Sequence, residues 1–182
     1  MKARLTVGLF LLCAGLALPA GNSAMAAHGQ SSVAHDASRA DAEAIHQTIA
    51  NFTSAWNKHD AHAFAMTFTE DADFTNVAGV HARGRANVES FHASRFSTNF
   101  KDSHQTAAIR SVRMLTPLLA AVDVEWEMTG AKAPDGASMP YRKGLLDWVM
   151  AKQKDGRWLV EVMHNTDLTS APAHVADTPL EK

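Results

Sequence analysis

The sequence predicts an α+β domain in which helices, interrupted by one strand, come first and a sheet of long strands follows. Apolar residues recur every three or four positions up to Trp56 and again from Val88 to Phe96, whereas from His104 onward the period is two. Gly, Pro and an Asp-Gly pair punctuate the segments.

Taken in order, Ser38 with Asp41 three residues on reads as a capping box ahead of Ile45, Ile49, Phe52 and Trp56, so a first helix is expected from Ser38 to about Asn57. Asp60 caps a second, short helix carrying Phe64 and Phe68, and residues 70–73 form its polar exit into a strand over 74–77. Gly79 marks a turn. A third helix opening at Gly84-Arg85 sets Val88, His92 and Phe96 on one stripe with Phe91 beside them. Strands are predicted over 106–115, 118–128, 145–152 and 157–167, the last two joined by a tight hairpin at Asp155-Gly156. The connection containing Pro134, Asp135, Gly136 and Pro140 is long enough for a mobile flap at an open end of the sheet.

Lys2 and Arg4, the apolar run 5–18 and Ala24-Met25-Ala26 read as a secretory signal over 1–26, which predicts a secreted or periplasmic protein. The run of about 14 apolar residues is shorter than the roughly 20 of a spanning helix. Residues 27–37 and 170–182 lack periodicity and read as a disordered linker and a flexible tail, leaving the domain at 38–169. The single cysteine, Cys13, lies in the signal, so the mature chain excludes disulfides, thiolate metal sites and cysteine nucleophiles. A mature chain of about 155 residues supports one domain with one core. A net charge of −2 with scattered Lys and Arg argues against a nucleic-acid face, and no basic amphipathic helix suggests a membrane surface after signal cleavage. The expected partners are a small hydrophobic or aromatic molecule and a second copy of the chain.

Strand parity sets Val122, Val124, Trp126 and Met128 on one face and Asp123, Glu125 and Glu127 on the other, with Arg110 and Arg113 available across the strands. In the last strand Trp158, Val160, Val162 and His164 share a side, and Leu159 and Met163 oppose them. Apolar residues on both faces of the last two strands predict a homodimer through the sheet, with Met163→Glu as the substitution that would break it.

The segment D-A-D-F-T-N-V-A-G at Asp71–Gly79, the following Gly84, G-R-W at Gly156–Trp158 and H-N-T at His164–Thr166 fall in an order that resembles the SnoaL-like, SgcJ/EcaC branch of the nuclear transport factor 2-like superfamily, over about residues 45–168. The resemblance implies helices packed in a strongly bent antiparallel sheet, a cone with an internal pocket. Relatives include steroid isomerases, polyketide cyclases, dehydratases and modules that catalyse nothing, so function must be read from the site. Ketosteroid-isomerase-like relatives place a carboxylate base near the end of the first strand, where this chain has Asn76. An amide cannot abstract a carbon-bound proton at neutral pH. Asp73, of opposite parity, is expected on the other side of that strand.

Histidines are the notable polar residues, ten in all. If the stripe of the third helix packs on the Trp158/Val162 face, His92 and His164 converge inside the cone, either as a general acid–base pair or as hydrogen-bonded core residues. His104 opens the first long strand. Trp56, Trp126 and Trp148 supply aromatic walls for a flat ligand, and Asn76 is placed to donate to a ligand carbonyl. Pocket histidines would titrate near ~6.5. No dinucleotide fingerprint is present and no cofactor is predicted. His59 and His62 lack a third ligand at a recognisable distance, so no metal site is predicted either, although three pocket histidines would offer nitrogen ligands to a divalent ion. Two readings remain: an exported protein that captures a small apolar molecule without catalysis, or a lyase or isomerase whose histidines act on an aromatic or polyketide-like substrate.

Overall fold

The computed structural model describes residues 23–169, with side chains from Ser38 onward. The predicted signal lies almost wholly outside the described residues, and so does the tail beyond Thr169. The chain divides into residues 1–36 and 37–182; of the first unit only helical backbone from Ser23 is described. Among the described residues no helix is long and apolar enough to cross a membrane.

The first helix, α1 (Ser23–Asn57), starts earlier than Ser38, which lies inside it. Nor does Asp41 serve a capping box. Its Oδ1 accepts from Trp158 Nε1 at 3.0 Å and from Lys152 Nζ at 2.5 Å, which latches α1 to the far end of the sheet. Ile45, Ile49, Phe52 and Trp56 are all buried, as their spacing requires.

Asp60 caps α2 (Ala61–Ala65) by accepting from Ala63 N at 2.9 Å. That helix is shorter than predicted, and Phe68 opens the strand β1 (Phe68–Thr75) instead of closing the helix. Asn76 therefore falls just beyond the strand, in the turn to a short strand, β2 (His81–Arg83), whose three residues are too few to show an alternation. After α3 (Arg85–Phe96) come β3 (His104–Thr116), β4 (Leu119–Thr129), β5 (Arg142–Lys152) and β6 (Trp158–Asp167), each close to its predicted span. The β5–β6 hairpin turns at Gly156, whose φ of 86° is the left-handed conformation an Asp-Gly turn needs.

The strands form one curved six-stranded sheet in the order β2-β1-β6-β5-β4-β3. All neighbours are antiparallel except β1 and β6, which run parallel: the β3–β6 meander starts at the far edge of the sheet and brings its last strand, β6, alongside β1. The inner face carries Val122, Val124 and Trp126 of β4 and Leu146, Trp148 and Met150 of β5, all buried with the α1 residues in one core. The outer face of β4 is acidic as predicted, with Arg110 reaching Glu125 at 3.3 Å and Ser111 donating to Asp123 at 2.6 Å.

One irregularity changes the reading of β6. Met150 pairs with Val160 while the adjacent Val149 pairs with Val162, so Glu161 is an extra residue, a β-bulge. Beyond it the side-chain alternation is inverted. Trp158 and Val160 point inward before the bulge, Met163 and Asn165 after it, and His164 turns outward opposite Asp147. Met163, expected on the outer face, is 2% exposed and belongs to the core.

Candidate functional site

One end of the inner face is hollow. A cavity of about 210 Å³ lies between α3, the inner face of β3–β6 and two loops, and Trp56, Phe74, Phe91 and Trp126 supply much of its wall.

On α3 the spacing of Val88, His92 and Phe96 buries all three. His92 is 3% exposed and ringed by aromatics, with Phe64 at 4.1 Å, Phe74 at 5.1 Å and Phe91 at 5.2 Å between centroids. Its Nδ1 lies 2.8 Å from the Val88 carbonyl, which can only accept, so Nδ1 carries the proton and Nε2 is left as a bare acceptor. Loss of hydration lowers its pKa to about 4; the Val88 bond opposes this and the positive charge of Arg95 adds to it. The ring is therefore neutral through the physiological range, and the transition expected near ~6.5 is displaced downward.

Across the cavity, Gly144 lets the indole of Trp126 lie flat on β5, since a Cβ there would sit 2.5 Å from the ring and 2.1 Å from the Thr166 carbonyl oxygen. Trp126 Nε1 donates to Asn165 Oδ1 at 2.8 Å, which fixes the Asn165 amide with its NH2 group as the spare donor. The Arg142 guanidinium stands 5.6 Å from the Trp126 ring and gives both Nε (3.0 Å) and Nη2 (2.5 Å) to Asp167 Oδ2. Its Nη1 has no protein partner among the described residues. Burial works against ionisation of Asp167, but hydrogen bonds from Thr169 and Arg142 outweigh it and hold the carboxyl below its ordinary range.

Gln105 opens β3 under a double clamp: Asn57 Nδ2 donates to its carbonyl and Asn57 Oδ1 accepts from its N–H, both at 2.8 Å. The backbone is thus satisfied, while the side chain, 4% exposed and on the cavity wall, keeps Oε1 buried without a partner.

Two loops frame the mouth. In the β1–β2 turn, Asn76 Oδ1 accepts from Ala78 N and Val80 N, each at 2.9 Å, so only its NH2 group is free. The β4–β5 connection, predicted as a flap, is cross-bonded by Ala133 N to Ala137 O and Met139 N to Ala131 O. Asn99 ties it to the end of α3, donating through Nδ2 to the Lys132 carbonyl at 3.0 Å and accepting the Lys132 N–H at 2.8 Å.

Of the residues the sequence singled out, Trp56, Asn76, His92 and Trp126 line the cavity. His164 does not, because the Glu161 bulge turns it outward, and His104 is exposed at the sheet edge opposite Thr129. Trp148 is buried behind the cavity against Phe52, 5.1 Å between ring centroids. The histidines therefore do not converge. Gln105, Arg142 and Asn165 were missed; Arg142 precedes the predicted strand, and only the bulge turns Asn165 inward. Among the described residues no three His, Cys, Asp or Glu side chains are grouped to hold a metal ion.

The same arrangement of helices on a curved sheet is found in known proteins. Residues 49–161 match the model of the SnoaL-like domain. The chain belongs to this family. Its nuclear transport factor 2-like fold is shared with an uncharacterised protein with a cystatin-like fold from Caulobacter vibrioides, 30% identical over 75% of this chain and 94% of the other, with a TM-score of 0.67. A domain of unknown function with a cystatin-like fold from Nostoc punctiforme is 26% identical over 75% and 82% of the two chains, with a TM-score of 0.64. A putative scytalone dehydratase from Novosphingobium aromaticivorans, at 15% identity and a TM-score of 0.63 over 73% and 87%, shares the fold. No protein of curated function matches this SnoaL-like chain.

Proposed function

We propose that this SnoaL-like protein captures a small aromatic or hydrophobic molecule in the cavity beneath Trp126. The observation that carries the reading is an aromatic-walled hollow of about 210 Å³ that retains a few convergent polar groups. A filled core would have closed around Gln105 or paired it. The volume is modest: a dry cavity of about 150 Å³ accommodates a benzene, so this one suits a single ring with substituents rather than a fused polycycle.

A second reading, a lyase or isomerase, draws on the bare Nε2 of His92 and on the fold shared with a putative dehydratase. A base with a pKa of about 4 is weak, and with His164 outside it has no partner of its own kind, so binding without chemistry is the better-supported function. Export and a sheet-to-sheet homodimer belong to the same proposal, as does the SgcJ/EcaC affiliation. Export is supported by the leader composition, and dimerisation by the apolar outer residues Leu145, Val149 and Val162. Intact mass of material from the source cell would reject export if residues 1–26 were still present.

Thermal unfolding with phenol or anisole tests the binding reading. Either neutral ring should raise Tm, by the equivalent of about 2.7 kcal/mol at a hundredfold excess over Kd, and the shift should shrink in Trp126→Ala. Absence of any shift with both rings would reject the pocket.

A further inference from the structure

Resting on that reading of the cavity, the distribution of charge and hydrogen-bonding capacity narrows the ligand. The lining includes Arg95, Lys132 and Arg142 and no Asp or Glu, although the chain has 19 acidic residues against 17 Lys and Arg. Arg95 has no carboxylate partner among the described ion pairs and stands over the Phe91 ring at 5.2 Å. Lys132 meets Asp102 only at 3.4 Å, in a half-exposed pair that water screens. Arg142 is held by Asp167 through two of its nitrogens and keeps Nη1 for another acceptor. The amides of Asn76 and Asn165, each with its oxygen already engaged, add NH2 donors and nothing else.

The deep groups add acceptors. His92 Nε2 can only accept, and the Gln105 amide carries, beside its NH2 donors, a buried Oε1 that accepts from nothing. Both residues are nine-tenths or more buried, whereas Arg95 and Lys132 keep partial exposure towards the mouth. Positive charge thus runs from the opening, at Arg95 and Lys132, inward to Arg142, which is 9% exposed, and unsatisfied acceptors sit at depth beyond aromatic walls.

We propose that the cavity takes a single-ring aromatic carboxylate bearing a hydroxyl, its carboxylate among Arg95, Lys132 and Arg142 and its hydroxyl donating to Gln105 or His92. The two ends are complementary in kind: charge-assisted bonds hold the anion, and the hydroxyl supplies the proton that the deep acceptors lack. A cationic aromatic is opposed by all three basic groups. A neutral ring gains the walls but leaves the positive rim unused.

Calorimetric titration of the signal-free protein near neutral pH with 4-hydroxybenzoate, its methyl ester, benzoate and phenol tests this. 4-Hydroxybenzoate should bind about tenfold or more tightly than the ester, and more tightly than benzoate, with added salt weakening the acids and sparing the ester. Arg95→Gln combined with Lys132→Gln should sharply reduce the preference for acid over ester. Gln105→Met should remove part or all of the preference for 4-hydroxybenzoate over benzoate. Equal or tighter binding of the ester, or a full acid preference retained in the double variant, would overturn the proposal while leaving a neutral-ligand pocket standing. Binding by none of the four compounds would overturn both.

Discussion

The two ends of the inner sheet face are built from similar residues and behave differently. At the filled end, Phe64, Phe68 and Trp158 are 0% exposed, with Phe64 and Phe68 5.6 Å apart between centroids, and polar groups nearby are mostly bonded to one another, although Trp148 Nε1 and Thr69 Oγ1 are buried without a partner. Thr48 donates to the Trp158 carbonyl at 2.6 Å, and Asp41 accepts from Trp158 and Lys152. At the hollow end, Trp56, Phe74 and Trp126 are also buried, at 8% exposed or less, and His92, Gln105, Arg142 and Asn165 each keep bonding capacity that no described residue uses. Residual polar valence occurs at both ends, and it marks where a ligand belongs only where a hollow lies beside it.

Substitutions sharpen the contrast. Phe68→Ala, in the filled end, should cost about 3–5 kcal/mol because close-packed neighbours cannot collapse into the space, as urea unfolding would register. A pH series should reveal the next largest effect. With His92 lowered to about 4 in the fold and titrating near 6.5 when unfolded, the unfolded chain binds more protons between those values, so stability is complete above the upper value and falls as pH descends to the lower one. The loss should approach roughly 3 kcal/mol, and His92→Leu should flatten that part of the profile. Gly144→Ala should cost about 1–3 kcal/mol by lifting Trp126 off β5, visible as changed indole fluorescence together with weaker ligand binding. Val162→Glu, on the outer face, should leave monomer stability within about 0.5 kcal/mol while abolishing the proposed dimer in sedimentation. Smallest of all, Gln105→Met should be neutral or gain up to about 1 kcal/mol, because it removes a buried acceptor that has no partner. A large loss there would mean that Gln105 is structural after all.

The helices were the more legible half of the sequence. The 3.6-residue period placed Ile45, Ile49, Phe52 and Trp56 on one buried face and Val88, His92 and Phe96 on another, because a helix cannot lose register with itself. Strand positions were legible too, but strand faces were only as reliable as an unbroken alternation. In β4 the alternation runs unbroken and Trp126 was placed correctly; in β6 one inserted residue, Glu161, exchanged His164 for Asn165 at the cavity. No local signal distinguishes Glu161 from an ordinary strand residue, since the bulge depends on how β6 fits the register of β5.

The amino-acid pattern by itself determined the α+β class, the order of elements, the Asp-Gly hairpin and the aromatic stock from which the pocket is walled, because these follow from periodicity and turn chemistry within a few residues. Only the tertiary structure decided that β1 returns parallel to β6, that Asp41 latches a distant strand end, and which polar groups face the cavity with capacity to spare. Those outcomes rest on partners as far as 117 residues apart, and a hydrogen bond is satisfied or left open by what lies opposite in space, not by what is adjacent in the chain.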